Sequence, residues 1–259
     1  MPESYRMQLA DFVDELEAPS VELTVVNVSG AGSEHVTGMF EDLFERQSVA
    51  VNTAVGDAET ENLVVLTKNG ERVAESRLED VGNAVLFVNS DVYITGSREL
   101  DEVETPAVLA GLTDVPFRAK GYPSTRKEKF LLIEVSRFIE ALAYREGAGR
   151  LHSGFQQLSR IDDEKGTRTV YETLAATAVD THVYGCGEWS PSVTLSAHSA
   201  HPDLDAVWFV VFVPSEGSDA RHAALVCIED EDGHWRGFWT FDSERVRDIE
   251  AYVVDAYQA

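Results

Sequence analysis

The chain has 259 residues, 44% of them hydrophobic, which is ample for one large or two ordinary domains and excludes general disorder. Against 46 Asp and Glu stand only 21 Lys and Arg, a formal net charge of −25, and that balance repels a phosphate backbone and argues against direct contact with DNA or RNA. Two widely separated cysteines, a charged amino-terminal stretch and no run of about 18 apolar residues point away from a disulfide framework, a secretory leader and a membrane span, so a soluble cytoplasmic protein is expected.

The acid surplus runs along the whole chain and resembles the surfaces of proteins from salt-loving organisms, where screening tolerates self-repulsion. The nearest thing to a basic cluster is "STRKEK" at 124–129.

In chain order, "SYRMQLADFVDEL" places Tyr5, Leu9, Phe12, Val13 and Leu16 at helical spacing behind a capping Ser4. "VELTVVNV" (21–28), "SEHVTGMFEDLFER" (33–46) and "SVAVNTAV" (48–55) read as strand, helix and strand, one β-α-β unit. The intervening "SGAGSEH" lacks a third glycine and any GK[ST], so it reads as an ordinary β-α turn before a phosphate seat. "NLVVLTKNGERVAESRL" (62–78) is a hairpin about Asn69-Gly70, a pair that tolerates positive φ. Strands at "AVLFVN" and "VYIT" and a short helix over 105–112 follow, with Pro106 in its first turn. Two prolines, a glycine and no periodicity mark 113–126 as a boundary or connection.

Beyond it, 127–145 is a mostly buried helix carrying Leu131, Val135, Phe138 and Leu142, with Ser136 and Glu140 as polar exceptions one turn apart. "GRLHSGFQQLSRI" (149–161) also fits a helix, with Leu151, Phe155 and Leu158 inward and His152, Gln156 and Ser159 in a polar row. A helix over 167–178 buries Val170, Tyr171 and Leu174. The period then changes to strands at 180–185, 205–214, 221–229 and 234–242, the last three as an antiparallel meander, before a closing helix capped by Asp242. In "GHWRGFWTFD" (233–242) strand alternation puts Trp235, Trp239 and Phe241 on one face and Arg236, Phe238 and Thr240 on the other.

The order "LLIEVSRFIEALA", "HSGFQQLSR", "YETL", "HVYG", "VWFVVFV", "AALVCIED", "GFWTFD" resembles the DICT sensory domain over residues 127 to 257, about half the chain. That family occurs beside diguanylate cyclases and two-component modules, with many stand-alone versions in halophilic archaea. The resemblance implies a sensory or regulatory domain for a small ligand or partner, without established enzyme chemistry and without a cofactor. No kinase, cyclase or helix-turn-helix segment is read in the chain, so output would pass to another protein.

The expected organisation is an α/β protein: an amino-terminal α/β domain (1–115), a connection (116–126), and a DICT-like domain (127–259) of helices on a mainly antiparallel sheet. The expected ligand site joins Trp208, Trp239, Tyr184, Phe155 and Gln156 as an apolar pocket with few polar anchors, while Ser136, Glu140 and His152 are further polar candidates. Each has a structural alternative: core filling for the rings, a backbone-satisfied amide for Gln156, and an internal partner such as Arg137, Arg168 or Arg236 for Glu140. "HSAH" (198–201), with His152, His182, His222 and His234, is a weak zinc pattern, and Cys186, between two glycines, is a minor redox candidate. No catalytic residue and no metal site are expected. The partner is an unidentified small molecule or signalling protein, or a second copy in a homodimer, with a scaffolding module bearing an exposed patch at Trp235 and Phe238 as the alternative. Ligand binding would bias two packings of the 127–145 helix.

Overall fold

A computed structural model describes residues 8–17, 19–44, 47–57, 61–84, 100–120, 126–163, 165–189, 195–199, 201–231 and 233–258. Ser4, Tyr5 and the strands expected at "AVLFVN" and "VYIT" lie outside them. The architecture is α/β with two sheets.

The first sheet grows from the β-α-β unit: β1 (Val21–Val26) and β2 (Val49–Ala54) are parallel, joined by α2 (Ala31–Phe44). Antiparallel β3 (Leu63–Lys68) and β4 (Glu71–Arg77) complete the order 2-1-3-4. Their turn has φ of 50° at Asn69 and 84° at Gly70, the left-handed pair that matches the twist of a two-residue hairpin. α3 (Leu78–Gly82) and α4 (Ala107–Gly111, with Pro106 as its N-cap) follow.

The second sheet has seven strands in the order 5-11-10-9-6-7-8. They are β5 (Phe117–Lys120), β6 (Ala148–Gln157), β7 (Ala178–Cys186), β8 (Ser196–His198), β9 (Val207–Val213), β10 (Ala223–Glu231) and β11 (His234–Thr240). β6, β7 and β8 run parallel and every other pairing is antiparallel. α5 (Arg126–Glu146), α6 (Arg160–Asp163), α7 (Lys165–Ala175) and the closing α8 (Ser243–Tyr257) belong to this part of the chain. Asp242 caps α8 by accepting from the Arg245 amide at 2.8 Å.

Three expectations are corrected. The 116–126 stretch is not all connection, because Phe117–Lys120 pairs with β11 at the sheet edge. The amino-terminal helix, α1 (Leu9–Asp14), is not part of the first sheet's layer: Leu9, Phe12 and Val13 pack with Val246, Ile249 and Val253 of α8 against the second sheet.

The third correction is the 149–161 segment, which is a strand through Gln157 instead of a helix. It lies between β9 and β7 with Leu151–Gly154 buried, so both faces are covered and the two-residue alternation that betrays a strand is erased. Gly154 is there for closeness, since a Cβ would come within 2.5 Å of the Phe209 ring. That requirement outweighs the i, i+4, i+7 spacing of Leu151, Phe155 and Leu158.

β9 divides the core. Trp208, Val210 and Phe212 face α5 and a core that continues into the first sheet, whereas Val207, Phe209, Val211 and Val213 face α8 and α1. The ring-rich β11 follows suit: Trp235, Trp239 and Phe241 pack on the α5 side, while Phe238 packs on the α8 side and Arg236 pairs with Asp14 of α1.

Candidate functional site

The sheet separates the residues expected to form one pocket. Trp208, Trp239, Ser136 and Glu140 lie on the α5 side, Phe155 packs beside Tyr171 of α7, and Tyr184 and His152 lie on the α8 side. Gln156 sits at a register shift between Gly154 and Gln157 with φ of 60°, its Oε1 accepting from Arg160 Nη1. The apolar pocket is thereby corrected: strand alternation sends its members to opposite faces, and on each they fill core. Trp239 is 2% exposed, tilted against Phe117 at 5.5 Å between ring centroids.

The polar candidates on the α5 side are satisfied internally. Ser136 Oγ donates to the Leu132 carbonyl at 2.9 Å. Glu140 accepts from Arg137 Nη1 at 2.5 Å and from Tyr171 Oη at 2.8 Å, and Arg137 Nη2 donates to Thr167 Oγ1 at 2.7 Å. Both charges are buried, so the ion pair holds together because neither member has water to turn to. Burial and the Glu140 carboxylate push the Tyr171 phenol far up, which keeps it a donor.

The aromatic docking patch is also corrected. Phe238 is buried and Trp235 half-buried, and the exposed large hydrophobic residues among those described are Val55, Val73 and Val254. Among the described residues no group of three or more His, Cys, Asp or Glu could hold a metal ion. Cys186 is half-buried, with burial raising its thiol pKa, and Cys227 is fully buried.

The convergence lies on the other face, beside α8 at the amino-terminal halves of β6 and β7. Arg150, His152, Asp180, His182, Glu250, Val254 and Gln258 are among the lining of a cleft of about 570 Å3 there. Strand pairing builds its floor: His152 is opposite His182, and Tyr184 is opposite His198. The His152 and His182 ring planes lie within 12°, those of His182 and His198 within 20°.

Glu250 fixes the direction of the hydrogen bonds nearest to it. A carboxylate only accepts, so His152 Nε2 donates to Glu250 Oε1 at 3.3 Å, and its Nδ1 accepts from Tyr184 Oη at 2.7 Å. The phenol oxygen accepts from Gln258 Nε2 at 2.6 Å. The same amide donates to His182 Nδ1 at 3.2 Å, His198 Nε2 lies 3.0 Å from that nitrogen, and Asp180 Oδ2 lies 3.2 Å from His182 Nε2. Arg150 closes the rim with Nε at 2.5 Å and Nη2 at 2.9 Å from the two Glu250 oxygens.

The electrostatics agree with that polarity. Burial lowers the His152 pKa against the pull of Glu250, and burial with the neighbouring His182 and His152 lowers that of His198, so both rings are neutral acceptor-donors at neutral pH. Burial alone would raise Glu250, but the hydrogen bonds from His152 and Arg150 bring it down to about 2. Burial raises the Tyr184 phenol well above its ordinary value.

A second cleft, about 810 Å3, opens at the carboxyl ends of β1 and β2 beside α2. Its lining includes Glu34, Glu41 and Glu61, three carboxylates that would repel a phosphate. Ser33 and Glu34 amides bond to the Gly30 carbonyl, as in an ordinary β-α turn.

Of the expected site residues, His152 and Tyr184 are brought together. Arg150, Glu250 and Gln258 were missed, and His182 enters the sequence reading only within the weak zinc pattern. The available signal was Glu250: Val246, Ile249, Glu250 and Val253 follow helical core spacing, and a carboxylate at such a position demands partners.

No family model matches the sequence and no curated protein matches it. Among solved structures, a polyphosphate kinase from Porphyromonas gingivalis aligns with 96% of this chain at 10% identity and a TM-score of 0.34. The chain spans about half of that protein's length, 48%. A likeness of this degree fixes no function.

Proposed function

We propose that the protein is a cytoplasmic, non-enzymatic sensory or regulatory protein whose DICT-like half binds a small ligand and passes the signal to another protein. The observation that supports this reading is the cleft between α8 and β6–β7, a hollow of metabolite size with hydrogen-bonding groups converging from two strands and one helix. It replaces the expected pocket among the tryptophans. The responsive side becomes the α8 face instead of the 127–145 helix, because α5 is tied to α7 through Arg137–Thr167 and Tyr171–Glu140 bonds closed to water, whereas the polar groups beside α8 border an open cleft.

Native mass spectrometry of protein purified from its own host at high salt tests it. A stoichiometric small-molecule mass is expected on the wild type and not on Arg150→Ala. A clean mass for the chain bound to a second polypeptide would overturn it in favour of scaffolding.

A further inference from the structure

β6 and β7 run parallel with Arg150 opposite Asp180, so a guanidinium and a carboxylate share one face of the sheet in the lining of the cleft. The Arg150 pKa is raised first by the hydrogen bonds to Glu250 and also by the Asp180 charge, so the two groups feel each other, yet they form no ion pair. Each is turned to another partner. Arg150 gives Nε and Nη2 to the two Glu250 oxygens, and Asp180 Oδ2 lies 3.2 Å from His182 Nε2.

Both keep bonding capacity in reserve. A guanidinium has two edges that fit a carboxylate, and Glu250 occupies the Nε–Nη2 edge; Nη1, which completes the other edge with the second Nη2 hydrogen, has no partner among the described residues. Asp180 Oδ1 likewise accepts from none of them. The two side chains are 48% and 63% exposed, so a solute reaches both. We propose that the cleft takes a free α-amino acid, its carboxylate on the Nη1–Nη2 edge of Arg150 and its α-ammonium on Asp180. This assignment rests on the ligand-binding reading of the same cleft and names the chemical class of the ligand.

Charge selects against the rival classes. A phosphate or a dicarboxylate could use Arg150 only by facing the carboxylates of Asp180 and Asp255 as well. A plain amine would satisfy Asp180 and leave the open edge of Arg150 beside a like charge. A zwitterion answers both, and because Arg150 and Asp180 are close enough to interact, its two charges must be neighbours, as they are on one α-carbon. Ala251 and Val254 of α8 line the same cleft and offer the ligand's side chain apolar surface, while Asp255 disfavours an acidic one.

Saturation-transfer NMR of the dialysed full chain at constant salt, with a mixture of the common L-α-amino acids, should pick out neutral or basic members, and calorimetric titration then gives the Kd of the best. Its amide, which has no carboxylate, and its Nα-acetyl form, which has no ammonium, should each bind about tenfold more weakly or worse as charge-assisted hydrogen bonds are lost. Asp180→Asn should lose a similar factor for the parent amino acid and lose nothing further for the Nα-acetyl form, a non-additivity that a merely structural role would not produce. Its urea midpoint should match the wild type, since the side chain is exposed. Arg150→Lys keeps a positive charge for Glu250 but has no second edge, and it should bind the parent as weakly as the wild type binds the amide.

No bound amino acid, or an amide and an Nα-acetyl form that bind as tightly as the parent, overturns the assignment. In that event a native mass other than an amino acid, present on the wild type and lost in Arg150→Ala, would leave the cleft reading standing, whereas no bound mass at all would remove both.

Discussion

The two faces of the seven-stranded sheet carry the same kind of polar residue under opposite conditions. Toward α5, Arg137 and Glu140 are sealed, 4% and 2% exposed, and bond to each other, to Tyr171 and to Thr167. Toward α8, Glu250 and His152 are just as well bonded, but they floor a cleft whose rim residues, Arg150 and Asp180, are in water. The first arrangement is closed to water and ties α5 to α7. The second can exchange protons and partners. Burial with water excluded makes structure; burial at the bottom of an opening makes a responsive site.

The largest test of that contrast is Glu140→Ala. It leaves the Arg137 guanidinium without its carboxylate, and truncating one member of a buried pair costs about 3–5 kcal/mol. Urea unfolding, which keeps ionic strength constant, should show this as a lower midpoint. Replacing both residues together, Arg137→Met with Glu140→Leu, should recover most of the loss. A loss below about 1 kcal/mol for the single variant would mean that water reaches the pair and that the two faces are alike.

Glu250→Gln probes the other face with a smaller effect. It weakens charge-assisted hydrogen bonds from Arg150 and His152, worth about 1.5–3 kcal/mol. The Glu250 pKa falls from 4.5 to about 2, so its contribution is complete above 4.5 and is lost as pH drops toward 2. Wild type and variant should therefore differ at neutral pH and converge in acid, and urea midpoints across that range read the convergence.

Much of the fold was legible because the local signals were strong. The Asn69-Gly70 hairpin, the β-α-β unit, the antiparallel meander and the Asp242 cap each rest on a few neighbouring residues and each is present. β6 was not legible, because a strand covered on both faces loses its alternation and Leu151, Phe155 and Leu158 mimic a helical stripe. That error displaced the site. Read as a helix, the segment puts Phe155, Gln156 and His152 around one axis; as a strand it sends Phe155 toward α7 and His152 toward α8. Partners separated by about a hundred positions, such as Arg150 and Glu250, are set by sheet order, which no local pattern encodes. The internal arginine for Glu140 was among the alternatives in the sequence, and it is Arg137.

The smallest effect concerns what covers the α8 face beside the cleft. α1 docks there through Leu9, Phe12 and Val13, all buried, and through Arg236, whose guanidinium bonds Asp14 at 2.5 Å and Asp230 at 2.6 Å. The Asp14 carboxylate is 61% exposed, Arg236 keeps Asp230 without it, and exposed pairs are worth about 0–1 kcal/mol. At about 1 M salt the screening length is about 3 Å, so the Asp14→Asn difference should shrink toward zero as salt is raised. If urea midpoints instead show a loss that survives high salt, the pair is shielded from solvent, and this edge of the α8 face behaves like the sealed α5 side. The contrast between the faces would then narrow to the cleft itself.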